Sequence, residues 1–232
     1  MVKIKGPGYD VAHENVMSSI CVVGDIHSRV DLVREAVKHA AGRRLIFLGD
    51  LFDGPQGATG SVECVRLIRA AGAELILGNH EVYPLFAESA HELATWWGEP
   101  QEATRLWSEA QEILGLLTTD ELDWLRTRPL WLQGNGWVAT HAKVPAQLPA
   151  QYIAGKPTEE QVQLFDHTDS KAFWAEEYDG KLGMAFVGHT RRSKLGKSEW
   201  KHVRLLDWDA KKKGGTAALA VLENGKVTVN GL

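Results

Sequence analysis

The first clear structural signal in the chain is the stretch Ile20-Cys21-Val22-Val23-Gly24-Asp25-Ile26-His27, a short apolar run that ends in glycine and polar residues. Two later runs share this form, from Leu45 into Gly49-Asp50 and from Leu75 into Gly78-Asn79. Short runs rich in branched residues are typical of strands buried on both faces of a sheet. Helical spacing lies between the runs, so the order β-α-β-α-β predicts a parallel sheet with right-handed crossovers.

Capping and stop signals predict the boundaries of the helices. The first helix should end before Gly42, and the second should begin at a Ser61 cap and end before Gly72. The region of about 82–129 is mostly helical, and we interpret it as an insertion whose tryptophans pack between helices. Strands dominate after it, and Asn224-Gly225 predicts a hairpin turn between the last two.

Length and composition are those of an ordinary globular protein. The chain has 232 residues, 44% of them apolar, and we expect one domain over residues 1–232. No apolar run approaches the ~20 residues of a membrane helix. Residues 1–19 lack the apolar region of a secretory signal, so we expect a cytoplasmic protein. Cys21 and Cys64 are predicted to be reduced, buried thiols.

Charge is unevenly distributed along the chain. Residues 191–213 contain nine lysines and arginines against three acids, a net charge of +6, whereas the whole chain carries −4. Such clustering marks either a site for an anionic partner such as nucleic acid or a solvated loop, and the sequence leaves both open. The pattern does not indicate an oligomeric state.

Potential metal ligands follow five of the predicted strands. The set consists of Asp25, His27, Asp50, Asn79, His141 and His189. A single strand-end histidine or Gly-Asp pair indicates little, because such residues are commonly surface groups or turns. Ligands in open α/β sheets gather outside the carboxyl ends of strands, so we expect these side chains at one site.

These residue types indicate a centre of two divalent ions. A carboxylate can bridge two cations, and we assign that role to Asp50. The other ligands divide into two sets, Asp25 with His27 on one ion and Asn79, His141 and His189 on the other. Mixed oxygen and nitrogen donors favour manganese, with iron, zinc or nickel as alternatives, over calcium. Two such ions can hold a phosphoryl group and activate a bridging hydroxide to attack phosphorus.

A histidine and an aspartate complete this chemistry. His80 follows Asn79, so it can point into the site without binding an ion, and we assign it as the general acid for the leaving oxygen. Asp53 lies three residues after Asp50 and can orient His80. Both are therefore candidate catalytic residues.

Five motifs in this order resemble the calcineurin-like metallophosphoesterases. They are Gly24-Asp25-Ile26-His27, Gly49-Asp50-Leu51-Phe52-Asp53, Gly78-Asn79-His80-Glu81, Thr140-His141-Ala142 and Gly188-His189-Thr190. The pattern is similar to the phosphoprotein phosphatase branch, including bacterial and phage serine/threonine phosphatases, symmetrical diadenosine tetraphosphatases and the phosphatase module of RNA-repair enzymes. The resemblance covers residues 20 to about 222. It implies an α/β fold, a sandwich of two mixed sheets flanked by helices, and the same ligand and acid roles.

Two arginines that bind substrate phosphate in this family are missing from their usual places. Gly54-Pro55 follows Asp53 where Arg-Gly is usual, and residues 142–188 contain no arginine. Two smaller departures are Ser28, in place of a common glycine, and Asp207-Trp208-Asp209, in place of Asp-Thr-Gly. The candidate phosphate-binding residues are the basic side chains Lys171, Lys143, Arg191 and Arg192, each of which can equally be a surface charge.

The sequence therefore predicts a two-metal-dependent phosphoesterase that hydrolyses phosphate monoesters, on phosphoserine and phosphothreonine or small molecules. The alternative is a nucleotide or RNA-end phosphoesterase, acting on dinucleoside tetraphosphates or 2′,3′-cyclic phosphates, which the basic segment 191–213 favours. A third possibility is a non-catalytic metal- or phosphate-binding module. The missing arginines support it, whereas the presence of His80 with Asp53 argues against it.

Overall fold

The first sheet begins with the three parallel strands that the sequence predicts. The computed structural model describes residues 19–165 and 174–232. Strands β1 (Ile20–Val23), β2 (Arg44–Phe47) and β3 (Glu74–Leu75) pair in parallel. Helices α1 (Val30–Ala40) and α2 (Gly57–Ala70) connect them. Most residues of these strands are buried, which is why they form continuous apolar runs.

Four helices follow the third strand, where the sequence predicts a helical insertion. They are α3 (Asn79–Phe86), α4 (Ala90–Trp97), α5 (Pro100–Leu116) and α6 (Thr119–Arg126). The first of them begins at Asn79, so the helical region starts directly at a predicted ligand. Tyr83 packs against the rings of Trp96 and Trp97, consistent with tryptophans that join helices. The extent of the domain itself stays a prediction.

A second sheet forms from the strands that follow. It has the order β4 (Trp131–Gly134), β5 (Trp137–Thr140), β6 (Met184–Val187) and β7 (Val203–Leu205). The first of these strands is antiparallel to β5 and the others are parallel. Two short helices, α7 (Glu159–Val162) and α8 (Arg192–Leu195), lie in its connections.

The chain then returns to the first sheet. Strand β8 (Ala218–Glu223) pairs antiparallel with β1, and β9 (Lys226–Gly231) pairs with β8, so the first sheet has the order β3-β2-β1-β8-β9. Asn224 and Gly225 join these two strands with φ of 51° and 74°. Positive φ at both residues is the type I′ geometry, so the hairpin prediction is confirmed.

The core between the sheets follows from the alternation of side chains along each strand. Ile20, Val22 and Ile46 of the first sheet share one buried cluster with Ala139 and Phe186 of the second. The alternate residues of β1 and β2 face the other way, into a cluster with helices α1 and α2. The fold is therefore a sandwich of two mixed sheets with helices outside, as the family resemblance implies.

One predicted helix boundary is wrong. Helix α2 begins at Gly57, and Ser61 lies inside it, fully buried, instead of capping it. Helical hydrogen bonding already begins upstream, where the N–H of Gly60 donates to the carbonyl oxygen of Gln56 at 3.2 Å, so Ser61 does not stand at a helix N-terminus. The predicted stop at Gly72 is confirmed, since this residue follows the helix with φ of +64°.

Two further expectations concern the cysteines and membrane-spanning helices. Cys21 and Cys64 are free and buried, as predicted. Among the helices in the described parts of the chain, none is long and apolar enough to cross a membrane.

Candidate metal centre

The six predicted ligands meet where the two sheets present their strand ends. Asp25 and His27 follow β1, Asp50 follows β2, and Asn79 follows β3 in the first sheet. The second sheet adds His141 after β5 and His189 after β6. All six are buried except His189, which is half-buried. The carboxyl edges of both sheets therefore enclose one polar cluster in an apolar interior.

Asp50 lies at the centre of this cluster. Its Oδ1 is 3.3 Å from Nε2 of His141, and its Oδ2 is 3.9 Å from Nε2 of His27. The Nε2 atom of His27 is in turn 4.0 Å from Oδ2 of Asp25. The two oxygens of one carboxylate thus face two different sets of donors.

Backbone carbonyls fix which nitrogen of two histidines faces the cluster. Nδ1 of His27 lies 3.0 Å and 2.9 Å from the carbonyl oxygens of Phe52 and Asp53. Nδ1 of His141 lies 2.7 Å from the carbonyl oxygen of Leu48. A carbonyl only accepts, so both Nδ1 atoms donate a proton, and each Nε2 is left to face the cluster. This arrangement is usual for metal-binding histidines.

Three electron-rich atoms converge on the other side of Asp50. Oδ1 of Asn79 lies 3.0 Å from Nε2 of His141 and 2.9 Å from Nδ1 of His189. The two imidazole nitrogens are 3.2 Å apart. Burial opposes protonation of His141, but the charge of Asp50 raises its pKa to about 10, so a metal ion at this position would replace the proton on Nε2. The three atoms would then form an open set of ligands.

The buried carboxylates of this region differ in how easily they ionise. Burial, followed by the negative charge of Asp207, raises the pKa of Asp25 well above its usual range. Burial also raises the pKa of Asp207. Burial opposes ionisation of Asp50, but three neighbouring histidines, led by His141, hold its pKa well below the usual range. Within residues 19–165 and 174–232, no lysine or arginine forms an ion pair with any of these three acids.

The cluster fits divalent ions on geometry and charge. Its donors fall into groups whose ligand atoms lie within 4.8 Å of one another, namely His27 with Asp50 and His80, and Asp50 with His141 and His189. Nitrogen and carboxylate oxygen donors suit first-row transition metals. A cation between such groups also neutralises carboxylates that otherwise have only histidines as partners.

Unusual backbone geometry is concentrated at this cluster. Eight non-glycine residues in the described chain have positive φ, and four of them are predicted site residues: His27, Asp50, Asp53 and His189. Such conformations cost on the order of 1–3 kcal/mol each and persist where surrounding contacts enforce them. The fold therefore holds these side chains in place against local preference.

Glycines at the cluster leave room for close approach. A Cβ added to Gly78 would lie 2.2 Å from Oδ1 of Asp50, and one added to Gly188 would lie 2.0 Å from Oδ1 of Asp25. Gly49 combines both requirements: its φ is +95°, and an added Cβ would lie 2.3 Å from the backbone nitrogen of Gly78.

Glu81 is a site residue to which the sequence motif assigned no role. Its buried carboxylate accepts backbone N–H groups from Asp50 and Leu51, each at 2.7 Å, from Phe52 at 3.1 Å and from Gly78 at 3.0 Å. Burial, followed by the charge of Asp50, raises the pKa of Glu81 to about 7, whereas the backbone donors lower it. Glu81 therefore ties the β2 strand end to the start of α3, which places Asp50 beside Asn79.

His80 and Asp53 lie together at the edge of the cluster. Nδ1 of His80 is 3.4 Å from Oδ2 of Asp53, and Nε2 of His80 is 3.8 Å from Oδ2 of Asp50. The ring of Trp97 contacts the His80 ring edge-on, with 4.9 Å between centroids. Burial lowers the pKa of His80 to about 4, although the charges of Asp50 and Asp53 act in the opposite direction. Its position allows it to act as an acid or to bind an ion.

The four predicted phosphate-binding residues take different positions. Arg192 stacks on the ring of Trp208, 4.4 Å from its centroid. Lys143 lines a groove of about 610 Å³ together with a proline-rich loop. No hydrogen bond or ion pair in the described ranges joins Lys143, Arg191 or Arg192 to the ligand cluster. Lys171 lies outside the described residues, and the role of all four stays a prediction.

Two other cations, which the sequence did not single out, reach the site. Lys211, in the loop after β7, donates to Oδ2 of Asp53. Arg105 of α5 places Nη2 3.0 Å from the same carboxylate. Burial opposes ionisation of Asp53, but His80, Lys211 and Arg105 lower its pKa. Both residues are far from Asp53 in the sequence, so spacing gives no signal for them.

The chain belongs to the calcineurin-like phosphoesterases, whose family pattern matches residues 18–219. Members of this family are phosphoesterases that use divalent metal ions, and the described residues contain two groups that could hold such ions. The symmetrical bis(5′-nucleosyl)-tetraphosphatase of Methylococcus capsulatus is 30% identical over 154 residues, which cover 63% of this chain and 50% of that protein. The chain thus matches about half the length of this curated relative.

Solved structures share the fold at lower identity. A protein provisionally named a diadenosine tetraphosphatase is 21% identical, with a TM-score of 0.64 over 94% of this chain and 95% of that one. A serine/threonine phosphatase from Saccharomyces cerevisiae is 13% identical, with a TM-score of 0.50 over 92% of this chain and 79% of that one. At these identities the likeness concerns the fold alone.

Proposed function

We propose that the chain is a two-metal-dependent phosphoesterase in which Asp50 lies between the two ions. The observation that carries the proposal is the orientation of Asp50, whose Oδ1 faces His141 while its Oδ2 faces His27. One carboxylate can hold two cations only if each oxygen has its own set of further ligands. The surrounding donors are arranged in that way.

The proposed ligands of the two ions combine the donors near each oxygen of Asp50 with the sequence motifs. Asp25 and His27 would hold the first ion with Asp50, and Asn79, His141 and His189 would hold the second. Bound ions supply neutralisation of phosphate oxygens and a water of lowered pKa. Manganese is the metal we propose, on the mixed donor set, with iron, zinc or nickel as alternatives.

His80 would then act on the leaving group. Nδ1 donates to Asp53, so Nε2 would carry a proton for the departing oxygen only when His80 is in its imidazolium form. Asp53 orients the imidazole and stabilises its charged form. His80 Nε2 also faces Asp50 at 3.8 Å, so a role as metal ligand is the competing assignment.

Two substrate classes compete for this site. We favour dinucleoside polyphosphates, because the curated relative at 30% identity is named a tetraphosphatase. Phosphate monoesters of serine, threonine or small molecules are the second class, which the sequence motifs favour. RNA ends and 2′,3′-cyclic phosphates are a further nucleotide option, in which the basic segment 191–213 would contact the nucleic acid. We also propose a cytoplasmic location.

A substrate panel with one manganese-loaded preparation tests the function. The panel contains p-nitrophenyl phosphate, bis-p-nitrophenyl phosphate, a phosphopeptide, diadenosine tetraphosphate, a 2′,3′-cyclic nucleotide and 3′-phosphorylated RNA. The matched control is Asp31→Asn, which removes a carboxylate at the exposed start of α1. Among the described residues, Arg29 is the cation with which Asp31 forms an ion pair. We expect diadenosine tetraphosphate to give the highest kcat/KM, and Asp31→Asn to match the wild type. Turnover of none of these esters with manganese, iron, zinc or nickel would refute the enzyme proposal.

A further inference from the structure

Asp53 has more positive charge around it than the orientation of His80 requires. Its carboxylate contacts the imidazole of His80, the ammonium of Lys211 and the guanidinium of Arg105. The side chain of Asp53 is 7% exposed, whereas those of Lys211 and Arg105 are 37% and 46% exposed. The two cations thus lie at the mouth of the site, within reach of a ligand from solvent.

The two cations differ in how they are held. Arg105 donates from Nε and Nη2 to Glu102 and from Nη1 to Glu109, one turn away on each side. These bonds fix the direction of the guanidinium. Lys211 has Asp53 as its one carboxylate partner in the described chain, so two of its three ammonium protons stay available. Lys211 is therefore better placed than Arg105 to bind an added anion.

The proposed reaction determines which part of the substrate lies beside these two cations. In an in-line displacement, the water oxygen forms its bond to phosphorus opposite the bond that breaks. His80 gives its proton to the departing oxygen, and the proton lost by the water passes to solvent. The leaving group must then lie against His80, and hence against Asp53, Lys211 and Arg105.

We propose that Lys211 and Arg105 bind the phosphate groups of an anionic leaving group, such as a nucleoside diphosphate. A serine or threonine leaving group is uncharged and would gain nothing from two cations at this position. A departing diphosphate gains charge-assisted hydrogen bonds from both. The inference rests on the proposed function, and it gives the site a preference for polyphosphate substrates without the arginines that the family usually carries.

The test compares Lys211→Gln and Arg105→Gln with the wild type on two substrates. Diadenosine tetraphosphate carries a nucleoside diphosphate leaving group, and p-nitrophenyl phosphate carries none. For Lys211→Gln we expect KM for diadenosine tetraphosphate, and the inhibition constant of ADP against p-nitrophenyl phosphate, to rise about tenfold or more. Arg105→Gln should move both constants in the same direction by less. Both variants should lose more kcat/KM on diadenosine tetraphosphate than on p-nitrophenyl phosphate, because the leaving group of the second substrate carries no phosphate for these cations to bind.

Two controls separate a binding role from a structural one. Lys212→Gln removes the neighbouring lysine of the same loop, which pairs with Asp209, and it should leave both substrates unchanged. Lys211→Arg keeps the charge and should restore ADP inhibition. Equal losses on both substrates in Lys211→Gln, or an unchanged ADP constant, would overturn the inference.

The outcomes also distinguish this inference from the proposed function. A wild-type protein that hydrolyses p-nitrophenyl phosphate but neither hydrolyses diadenosine tetraphosphate nor is inhibited by ADP refutes the leaving-group site and leaves the phosphoesterase intact. A folded protein with metal bound that hydrolyses neither substrate, but binds ADP in a way that Lys211→Gln weakens, refutes the function and retains the anion site.

Discussion

Replacement of Glu81 by glutamine should loosen the junction that positions Asp50. The carboxylate accepts four backbone N–H groups, two at each oxygen. Glutamine keeps the shape but turns one oxygen into an NH₂ donor, which leaves two buried N–H groups facing a donor. Above the Glu81 pKa of about 7, where the carboxylate is ionised, hydrogen bonds to it contribute about 1.5–3 kcal/mol each, so the loss there is about 3–6 kcal/mol in the free energy of unfolding.

Urea and thermal unfolding measure this cost. At roughly 2–4 °C per kcal/mol for a chain of this size, Glu81→Gln should lower Tm by more than about 6 °C. Metal affinity should also fall about 10–100-fold, since Glu81 holds the backbone N–H of Asp50. Both effects have one cause, so they should appear together.

Glu121→Gln is the matched control for this prediction. Glu121 occupies the same helical position in α6, where it accepts the Thr118 N–H and pairs with Arg66, away from the ligand cluster. Its replacement should cost about 1 kcal/mol and leave metal affinity unchanged. If Glu81→Gln unfolds with the same free energy as wild type and retains its metal affinity, Glu81 does not position Asp50.

Three other perturbations have defined outcomes. His80→Ala should leave the metal bound and lower kcat about 10²–10⁴-fold, most for poor leaving groups; loss of metal in elemental analysis would instead make His80 a ligand. Gly78→Ala should abolish metal binding, because its Cβ would lie 2.2 Å from Asp50 Oδ1, whereas Gly115→Ala in open space on α5 should be neutral or slightly stabilising by thermal unfolding. The pKa of Glu121 is lowered to about 2, first by its hydrogen bond to Arg66. Its stabilising effect is therefore complete above the unfolded-state pKa of about 4.5 and disappears as pH falls towards 2. Glu121→Gln should accordingly lose less stability than wild type between pH 5 and 2, and parallel curves in urea titrations at each pH would contradict this assignment.

The arrangement of strand ends could be predicted because it depends on local signals. Continuous apolar runs such as Ile20–Val23 require burial on both faces, and a parallel sheet brings their carboxyl ends to one edge. Asp25 and Asp50 each follow such a run after one glycine, so the sequence alone indicated that they would lie close together. Right-handed crossovers between parallel strands are enough to place these carboxyl ends at the same edge.

Contacts between distant segments could not be predicted in the same way. Lys211 and Arg105 reach Asp53 through tertiary packing of a late loop and an inserted helix, and neither position has a spacing signal. Ser61 failed as a helix cap because helical hydrogen bonding already begins at Gln56, whose carbonyl oxygen accepts from Gly60. Glu81 stood in a recognised motif, but its four backbone partners are visible only once β2 and α3 are placed together.

Counting bound metal by elemental analysis tests the two-ion centre most directly. The purified chain, loaded with manganese and freed of excess ion, should hold two ions, and Asp50→Asn should lose both, because both ions share that carboxylate. Asp31→Asn, on the exposed start of α1, should retain two. A wild-type chain that is fully active with one ion, or an Asp50→Asn chain that still holds two, would contradict a centre bridged by Asp50.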